Sequence, residues 1–545
     1  MKIVIIGGVA GGASCAARLR RIDEAAEIVM IERGPYVSYA NCGLPYHVGG
    51  VIEDEASLLI ANPQLFRDQF AIDVRISTEA TAIDAKAKTV TVRDLATGAE
   101  RAETYDKLVL APGATSIKPP LPGIDLPGIF HVRTVPDARA IRHWLGANPK
   151  GKRAVVIGGG FIGLEMVENL VHQDLAVTLV EMADQILAPL DVEQARPAEA
   201  LLRRHGVTLV LGDSVTGFVK NPSGAIDVAT KSGATYPADI VILALGVRPD
   251  TALAKSAGLT LGDRGGIKVD AHMRTSDPAI YAVGDAVEVR DIVTDADTLL
   301  ALAGPANRQG RIAADNIAGR TSVFRGVQGT AIIGLFGTTF AWTGASEKTL
   351  RRLGRTAYEK IYLYPNHHAR YYPGAKMISM KLIFAKSDGR ILGAQAYGED
   401  GVDRRIDVIA TLIQKGGTVY DLEEAELCYA PQYGSAKDAA NFAGMIAANV
   451  LRKDMPLVHW NAGNTSLLLD VRDPAEIEAY AVPGALNIPL KQLRARLAEV
   501  PRDREIAVIC RSGQRAYLAT RILLQNGYAA KTLSGGVLAV QQSET

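Results

Sequence analysis

The 545-residue sequence is poor in cysteine, with only four, and it contains no apolar run of about 18 residues. So few cysteines exclude a disulfide framework for a chain of this length and favour a reducing, cytoplasmic setting. Without a long apolar run, no membrane span is predicted, and the short apolar start at Lys2–Ile6 indicates a buried strand rather than a signal peptide. The net charge of +1 argues against nucleic acid or an anionic membrane as a partner. No metal site is predicted.

The length and the order of the sequence patterns predict several α/β domains. A chain of this size exceeds one hydrophobic core, so three or four domains are expected. An apolar strand, a glycine turn and a helix follow one another from Lys2, where the helix is predicted over Gly12–Arg21 and a second strand over Glu27–Ile31. The same pattern restarts at Arg153, which predicts two dinucleotide-binding folds in tandem.

The second glycine motif is the more regular of the two. Gly158, Gly160 and Gly163 satisfy the spacing G-x-G-x-x-G directly after a strand and at the start of a helix. These glycines allow a tight turn and a close approach of the backbone to a pyrophosphate. Glu181 ends the next strand, where its carboxylate can bind a ribose diol and would repel a 2′-phosphate. No arginine follows within four residues, so NADH is favoured over NADPH.

The first glycine motif departs from this spacing. It begins with Gly7 and Gly8 and ends with Gly12, but Val9 occupies the position of the central glycine. Glu32 ends the following strand and again suits a ribose. One such match is weak evidence and could be a glycine-rich turn of an unrelated domain, but two in tandem, each with its acid, predict two nucleotide sites.

With these motifs in place, residues 1–448 resemble the pyridine nucleotide–disulfide oxidoreductase superfamily. The segment AIYAVGDA, residues 279–286, is similar to the second flavin motif of that superfamily, in which the aspartate, here Asp285, binds the ribitol of FAD. The resemblance implies FAD in the first cradle, with Arg33 and Ala306 as further contacts, and NAD(P)H in the second. It implies an FAD domain over residues 1–112 and 245–322, an NAD(P)H domain over 113–244 and a homodimer-forming α+β domain over 323–450.

Cys42 is the predicted reactive thiol. Dithiol members of the superfamily carry C-x4-C beside the flavin, but His47 occupies the second position here. One thiol cannot form an internal disulfide, so its sulfur must carry a mixed disulfide, a persulfide or a sulfenate. The segments SYANCGLPYHVGG, HARYYPGA and YAPQYGSAKD resemble the coenzyme A disulfide reductase branch. That resemblance implies that Tyr371 and Tyr433 of the partner subunit approach the thiol and that Tyr429 lies near the flavin.

Coenzyme A is the ligand that the same branch implies. Arg18 and Arg21 are three residues apart on one helix face and could bind its phosphates, although a solvated basic face is the simpler interpretation. The resemblance adds four further contacts: Ser14, Ser38, Asn41 and Lys437. The two remaining cysteines of this region are expected to pack in cores; for Cys428, an approach to the flavin is the less favoured alternative.

Residues 455–545 resemble a single rhodanese domain of α/β type. Cys510 ends a strand just before a helix, where backbone N–H groups stabilise a thiolate or persulfide. Arg511 and Arg515 add positive charge in the same loop. Val482 replaces the usual histidine before Pro-Gly-Ala, and a late tryptophan is missing, so an inactive domain kept for binding is the alternative.

Together these features predict a flavoprotein that reduces persulfides, polysulfides or coenzyme A disulfides with NAD(P)H through Cys42. Cys510 would deliver or accept sulfane sulfur, and the substrate would be a small sulfur compound. Two alternatives remain at this stage. One is an NADH peroxidase or oxidase that uses a sulfenate at Cys42, and the other is a non-catalytic redox sensor or sulfur relay.

Overall fold

A computed structural model of the chain describes residues 1–147, 153–460 and 466–544. These residues form two compact units. The first unit consists of Met1–Asp184 and His205–Val327, and the second of Gln185–Arg204 and Gln328–Thr545. Among the described helices, none combines the length and the apolarity that crossing a bilayer would require.

The strands of the first unit are short and mostly buried. In chain order they are β1 Lys2–Ile6, β2 Glu27–Ile31, β3 Asp73–Arg75, β4 Thr78–Asp84, β5 Thr89–Asp94, β6 Glu100–Thr104, β7 Lys107–Leu110, β8 Ala114–Ser116, β9 Ile129–His131, β10 Arg153–Ile157, β11 Ala176–Val180, β12 Thr208–Val210, β13 Val215–Lys220, β14 Ile226–Thr230, β15 Thr235–Ala238, β16 Ile240–Leu243, β17 Val247–Pro249, β18 Ile267–Lys268, β19 Ile280–Ala282, β20 Val287–Arg290 and β21 Asp297–Thr298.

The first eight α-helices all belong to the first unit except α6, which lies in the second. They are α1 Ala10–Ile22, α2 Leu44–Val48, α3 Pro63–Phe70, α4 Val135–Ala147, α5 Phe161–His172, α6 Val192–Arg204, α7 Ala252–Ser256 and α8 Ala303–Ile317. Short 3-10 helices occupy Asn41–Gly43 and Glu55–Leu58.

Two parallel sheets organise the first unit, in the strand orders β19-β7-β1-β2-β3 and β12-β11-β10-β16-β9. Their central strands β1 and β10 are continuous apolar runs because helices cover both faces of such a sheet. The predicted strands Lys2–Ile6 and Glu27–Ile31 are confirmed, and the tandem α/β architecture is confirmed with them. Within the segment AIYAVGDA, strand β19 ends at Ala282, just before Gly284 turns the chain at a φ of +86°.

A close helix crossing supports the first glycine turn. Helix α8 packs against α1 at two glycines, where a Cβ on Gly310 would lie 2.2 Å from the carbonyl oxygen of Gly11. The absence of a side chain at Gly310 allows the two backbones to approach so closely. The crossing therefore fixes α1, whose first turn contains the last glycines of the motif.

The second unit contains one antiparallel and one parallel sheet, in the orders β22-β23-β26-β25-β24 and β27-β31-β30-β28-β29. Its strands are β22 Ala331–Leu335, β23 Thr338–Gly344, β24 Tyr358–Leu363, β25 Ile378–Ala385, β26 Ile391–Gly398, β27 Leu457–Val458, β28 Leu467–Asp470, β29 Leu486–Asn487, β30 Ile506–Ile509 and β31 Ala530–Leu533. Its further helices are α9 Glu347–Arg352, α10 Val402–Gln414, α11 Val419–Glu423, α12 Ala439–Leu451, α13 Pro474–Ala479, α14 Leu490–Leu493, α15 Gln514–Gln525 and α16 Gly536–Glu544, with a 3-10 helix at Leu497–Glu499.

A buried ion cluster ties α6 to the antiparallel sheet of the second unit. The fully buried ammonium of Lys381 donates to Asp191 at 2.8 Å, to Glu193 at 2.5 Å and to Glu347 at 2.6 Å. Burial alone would raise the pKa of Glu347, but Lys381 and Lys360 lower it to about 2. The three carboxylates lie close enough together to hold a metal ion, but the lysine already supplies their counter-charge.

Candidate active site

The two glycine turns of the first unit have the same backbone geometry. Gly7 and Gly158 adopt φ angles of +97° and +111°, which side-chain-bearing residues rarely adopt. A Cβ on Gly12 would lie 1.8 Å from the carbonyl oxygen of Gly7, and one on Gly163 would lie 1.9 Å from that of Gly158. Each turn therefore requires glycine at its first and last positions, because the helix start folds directly onto the strand end.

The acids predicted for ribose binding are fixed in equivalent positions. The carboxylate of Glu32 accepts the backbone N–H of Gly8 at 2.8 Å, and that of Glu181 accepts the N–H of Gly159 at 2.6 Å. Burial raises the pKa of Glu32. In both cradles the carboxylate is held beside the turn, where a nucleotide would place its ribose.

The first cradle opens into a cavity of about 910 Å³, which is large for a ligand pocket. Six residues that the sequence predicted as FAD contacts or as the reactive thiol line it together: Gly7, Glu32, Arg33, Cys42, Asp285 and Ala306. Gly8 and Gly12 do not line the cavity, and the N–H of Gly8 is used by Glu32. The cavity joins a helix N-terminus, the carboxylates of Glu32 and Asp285 and the thiol of Cys42, and this donor set fits FAD.

Cys42 lies in the 3-10 helix Asn41–Gly43, and its side chain is exposed to this cavity. Burial raises the pKa of the Cys42 thiol, and the charges of Glu165 and Asp285 raise it further, while Arg133 lowers it. Arg133 also forms an ion pair with Asp285 at 3.2 Å. The protein surroundings alone therefore disfavour the thiolate.

Glu165 is a candidate residue that the sequence reasoning missed. It projects from α5, the helix that follows the second glycine turn, and it accepts a hydrogen bond from the Tyr46 hydroxyl at 3.4 Å. Burial raises the pKa of Glu165 to about 7 and that of Tyr46 to about 12. A glutamate in the otherwise apolar start of α5 was the available signal, since a buried carboxyl is costly unless it serves a purpose.

The predicted coenzyme A contacts on α1 are only partly available. The Ser14 hydroxyl donates to the side-chain oxygen of Asn307. Arg18 is engaged in an ion pair with Asp315 at 2.8 Å. Arg21 is exposed and faces solvent. Of the two arginines, Arg21 is therefore the one whose charge is not shared with Asp315.

Two further predicted coenzyme A contacts lie close in sequence to the thiol. Ser38 has a φ of +46°, and its N–H donates to the carbonyl oxygen of Gly8 at 2.8 Å. Asn41 lines the same cavity as Cys42, and its amide donates to the carbonyl oxygen of Arg133 at 3.5 Å.

The predicted tyrosines lie in the second unit. The hydroxyl groups of Tyr371 and Tyr429 form a hydrogen bond of 2.8 Å with each other. The backbone carbonyl oxygen of Tyr433 accepts a hydrogen bond from Arg404. The three tyrosines are 75%, 47% and 66% exposed, respectively, and Lys437 is exposed as well. Sequence spacing gave no sign that Tyr371 pairs with Tyr429.

Core packing was the wrong expectation for Cys428, which is exposed. Its carbonyl oxygen accepts a hydrogen bond from Arg404 at 2.8 Å, and its sulfur lies 3.5 Å from the same guanidinium. Packing was favoured because free cysteines are usually buried, but here the loop of Tyr429 holds the residue at the surface. For Cys15 the expectation of a core position is confirmed, since it is fully buried.

Cys510 occupies a different environment in the parallel sheet of the second unit. It directly follows β30, is 1% exposed, and its sulfur accepts the backbone N–H groups of Gly513 at 3.2 Å and Ala516 at 3.3 Å. Gly513 has a φ of +96°, which turns the chain so that the start of α15 points at the sulfur. The loop is a cradle for a thiolate or a persulfide.

The two loop arginines differ. Arg515 binds Glu476 through both of its terminal nitrogens at 2.6 and 2.7 Å, whereas Arg511 is exposed. Val482, in place of the usual histidine, is buried in a small apolar cluster with Ile509 and Leu533. This position is therefore part of the core here.

Three family descriptions match the chain. Pyridine nucleotide-disulphide oxidoreductase matches residues 1–310, the dimerisation domain of the same family matches residues 331–440, and the rhodanese-like domain matches residues 457–543. Among curated proteins, the coenzyme A disulfide reductase of Staphylococcus aureus strain JH9 is 34% identical over 444 residues, which cover 81% of this chain and 99% of that protein.

Two solved structures are similar over nearly the whole chain. Reduced CoADR-RHD of Bacillus anthracis is 46% identical, with a TM-score of 0.96, and the match covers 99% of this chain and 98% of that chain. A NAD-dependent persulfide reductase from A. fulgidus is 38% identical, with a TM-score of 0.92, and the match covers 99% of this chain and 100% of that chain.

Proposed function

This chain belongs to the pyridine nucleotide-disulphide oxidoreductase family, and on that premise we propose that it reduces persulfides, polysulfides or coenzyme A disulfides with NADH. The observation that carries the proposal is the isolated thiol of Cys42, which lines the cavity of the first cradle. Cys15, the other cysteine of the first unit, is fully buried. Sulfur exchange at Cys42 must therefore take place with an outside molecule.

The residues of the two cradles would hold FAD and NADH. In the first, the start of α1 would face the pyrophosphate, Glu32 the ribose and Asp285 the ribitol. When bound, FAD would accept a hydride from NADH and pass two electrons to sulfur. In the second, Glu181 would bind the ribose diol and disfavour a 2′-phosphate.

The thiolate of Cys42 would attack one sulfur of a coenzyme A disulfide, and the other half would leave as a thiolate. A mixed disulfide between Cys42 and coenzyme A results. Two electrons from NADH then cleave it, so that one disulfide, NADH and a proton give two coenzyme A thiols and NAD⁺. With a persulfide, the products are one thiol and hydrogen sulfide.

Cys510 would supply or accept the sulfane sulfur. A buried sulfur that accepts two backbone N–H groups supports this role, because the same donors would stabilise a persulfide. The relatives named as a persulfide reductase and as a fused CoADR-RHD also favour persulfide or polysulfide over coenzyme A disulfide alone. The positive charge of Arg511 would attract an anionic sulfur donor.

A homodimer in the cytoplasm completes the proposal. The match to a dimerisation domain and the exposed tyrosines of the second unit support an interface there. The Tyr371 hydroxyl, which can accept a hydrogen bond from that of Tyr429, would donate to the leaving thiolate in the partner's active site, and Tyr433 would approach the same thiolate. Lys437 and Arg21 would bind coenzyme A phosphates.

Anaerobic assays of NADH oxidation test the function. Coenzyme A persulfide, polysulfide and coenzyme A disulfide are each offered to the FAD-loaded wild-type protein and to Cys42→Ser. We expect turnover with at least one of them, release of sulfide or thiol in step with NADH loss, and no turnover in the variant. Rapid consumption of NADH with peroxide, and with none of the sulfur compounds, would identify a peroxidase instead.

A further inference from the structure

Two adjacent arginines at the start of α10 bind both loops that carry the exposed tyrosines. The first tyrosine loop comprises residues 366–372 and includes Tyr371, and the second comprises residues 428–438 and includes Tyr429. Arg404 donates to the carbonyl oxygens of Cys428 at 2.8 Å and of Tyr433 at 2.9 Å. One guanidinium therefore spans the part of the second tyrosine loop in which Tyr429 lies.

Arg405 joins the two loops from inside the protein. It is 2% exposed, donates to the carbonyl oxygen of His367 at 2.6 Å and binds Asp438 through two nitrogens at 3.1 and 2.6 Å. Asp438 in turn accepts the N–H of Ala440 and caps α12. The first tyrosine loop, the end of the second and two helices thus meet at one buried ion pair.

The loops also contact each other directly. The N–H of Ala369 donates to the carbonyl oxygen of Pro431 at 3.2 Å, and the hydroxyls of Tyr371 and Tyr429 lie 2.8 Å apart. A bond of this length between two exposed side chains depends on the relative position of both loops. Because loop residues are otherwise mobile, the two hydrogen bonds from Arg404 restrain the part of the second loop between Cys428 and Tyr433.

We propose that Arg404 is a positioning residue, which holds the second tyrosine loop so that the hydroxyl of Tyr429 remains bonded to that of Tyr371 in the orientation required by the leaving thiolate. The inference rests on the proposed function, since it assigns the tyrosine pair to sulfur cleavage. Arg405 serves the same purpose, but its removal would leave the charge of Asp438 buried and unpaired. Arg404 is therefore the residue to test.

The experiment uses the full-length FAD-loaded protein and compares Arg404→Gln with Arg452→Gln. Arg452 is a matched control, because it also forms a two-nitrogen bond, to Glu423 at 3.0 and 2.8 Å, in the same unit. We expect Arg404→Gln to lower kcat for the sulfur substrate roughly 10- to 100-fold, the cost of a misplaced reacting group. Flavin reduction by NADH, followed by stopped flow, should be unchanged in both variants, and Arg452→Gln should retain the wild-type kcat.

A double-mutant cycle with Tyr429→Phe separates positioning from a general structural effect. If Arg404 acts through Tyr429, Arg404→Gln should have little further effect on kcat once the hydroxyl has been removed. Hydrogen exchange should also show faster exchange confined to residues 428–438 in Arg404→Gln.

Three results are decisive. An unchanged kcat in Arg404→Gln, or an equal loss of kcat with and without the Tyr429 hydroxyl, would overturn the inference and leave the proposed function intact. A wild-type protein that turns over none of the sulfur substrates would instead contradict the proposed function, and the inference that rests on it would fall too.

Discussion

Cys42 and Cys510 are both proposed to handle sulfur, but the protein surrounds them in opposite ways. Cys42 is exposed to a large cavity, and burial together with two nearby carboxylates raises its pKa. Cys510 is almost fully buried, and its sulfur accepts two backbone N–H groups. At the first site the protein on balance disfavours the thiolate, whereas at the second site backbone N–H groups stabilise it.

This difference indicates a division of labour. A sulfur held by backbone N–H groups can store a persulfide without a further component. The thiol of Cys42 faces carboxylates. It becomes a good nucleophile only when its nucleotides, FAD and NADH, are bound and Glu165 is protonated. Cys510 is therefore suited to transfer of sulfur, and Cys42 to its reduction.

The largest expected effect comes from removing each sulfur in turn. Cys42→Ser should lower NADH-dependent reduction of coenzyme A disulfide by roughly 10³-fold or more, because the hydroxyl is a poor nucleophile and cannot form the mixed disulfide. Cys510→Ser should leave that reaction unchanged but abolish sulfur transfer from thiosulfate to cyanide. Both reactions are measured on both variants. Loss of disulfide reduction in Cys510→Ser would contradict the proposal that Cys510 transfers sulfur while Cys42 carries out the reduction.

Substitutions in the second glycine turn should impair the NADH-dependent reaction at Cys42 and leave sulfur transfer by Cys510 unchanged. In Gly160→Ala, the added Cβ meets no atom within 4 Å, so the fold should be retained, while the methyl group should obstruct the pyrophosphate and raise the KM for NADH. Gly163→Ala places a Cβ 1.9 Å from a carbonyl oxygen and should destabilise the first unit by about 1–3 kcal/mol.

Steady-state kinetics and thermal unfolding distinguish these two glycine variants. Thiosulfate–cyanide transfer by Cys510 serves as the control, since it needs no nucleotide. A normal KM for NADH in Gly160→Ala would show that the turn does not face the pyrophosphate.

Both the strengths and the failures of sequence reasoning have physical causes. The sequence predicts strands β1 and β2. It also predicts the two acids, Glu32 and Glu181, that follow the second strand of each dinucleotide-binding fold. Apolar runs, glycine turns and short spacings are local features, so they can be read from the sequence. The hydrogen bond between Tyr371 and Tyr429 joins residues 58 positions apart and left no local pattern. Glu165 stands out locally as a glutamate in an apolar helix start, but its proximity to Cys42 could not be predicted, because it depends on the packing of α5 against α2.

Glu165→Gln should change the pH dependence of Cys42 and leave Cys510 unaffected. The charge of Glu165 raises the pKa of Cys42, and the pKa of Glu165 itself is about 7, so this effect grows as the pH rises through neutrality. Removing the charge should move the midpoint of Cys42 alkylation to lower pH. Alkylation by iodoacetamide, followed by mass spectrometry of each cysteine peptide, measures both thiols at once. A midpoint that moves upward, or does not move, contradicts the electrostatic assignment.

The smallest effect is expected in the loop of Cys510. Arg515→Gln removes the two-nitrogen bond to the partly exposed Glu476 and should lower the free energy of unfolding by about 1 kcal/mol. Arg511→Gln should leave stability unchanged, because Arg511 is exposed, but it should weaken the binding of an anionic sulfur donor. Thermal unfolding and the KM for thiosulfate provide the two readouts. A loss of stability in Arg511→Gln, together with weaker donor binding in Arg515→Gln, would contradict this assignment of the two arginines.

The central claim is that Cys42 exchanges its sulfur with an outside molecule, and intact-mass spectrometry tests it most directly. The reduced protein is incubated with coenzyme A disulfide in the absence of NADH, freed of excess ligand and mapped by peptide. We expect one coenzyme A per chain, attached at Cys42 and released as the thiol when NADH is added. A protein without an adduct at Cys42, or with an adduct there that NADH does not release, would contradict it.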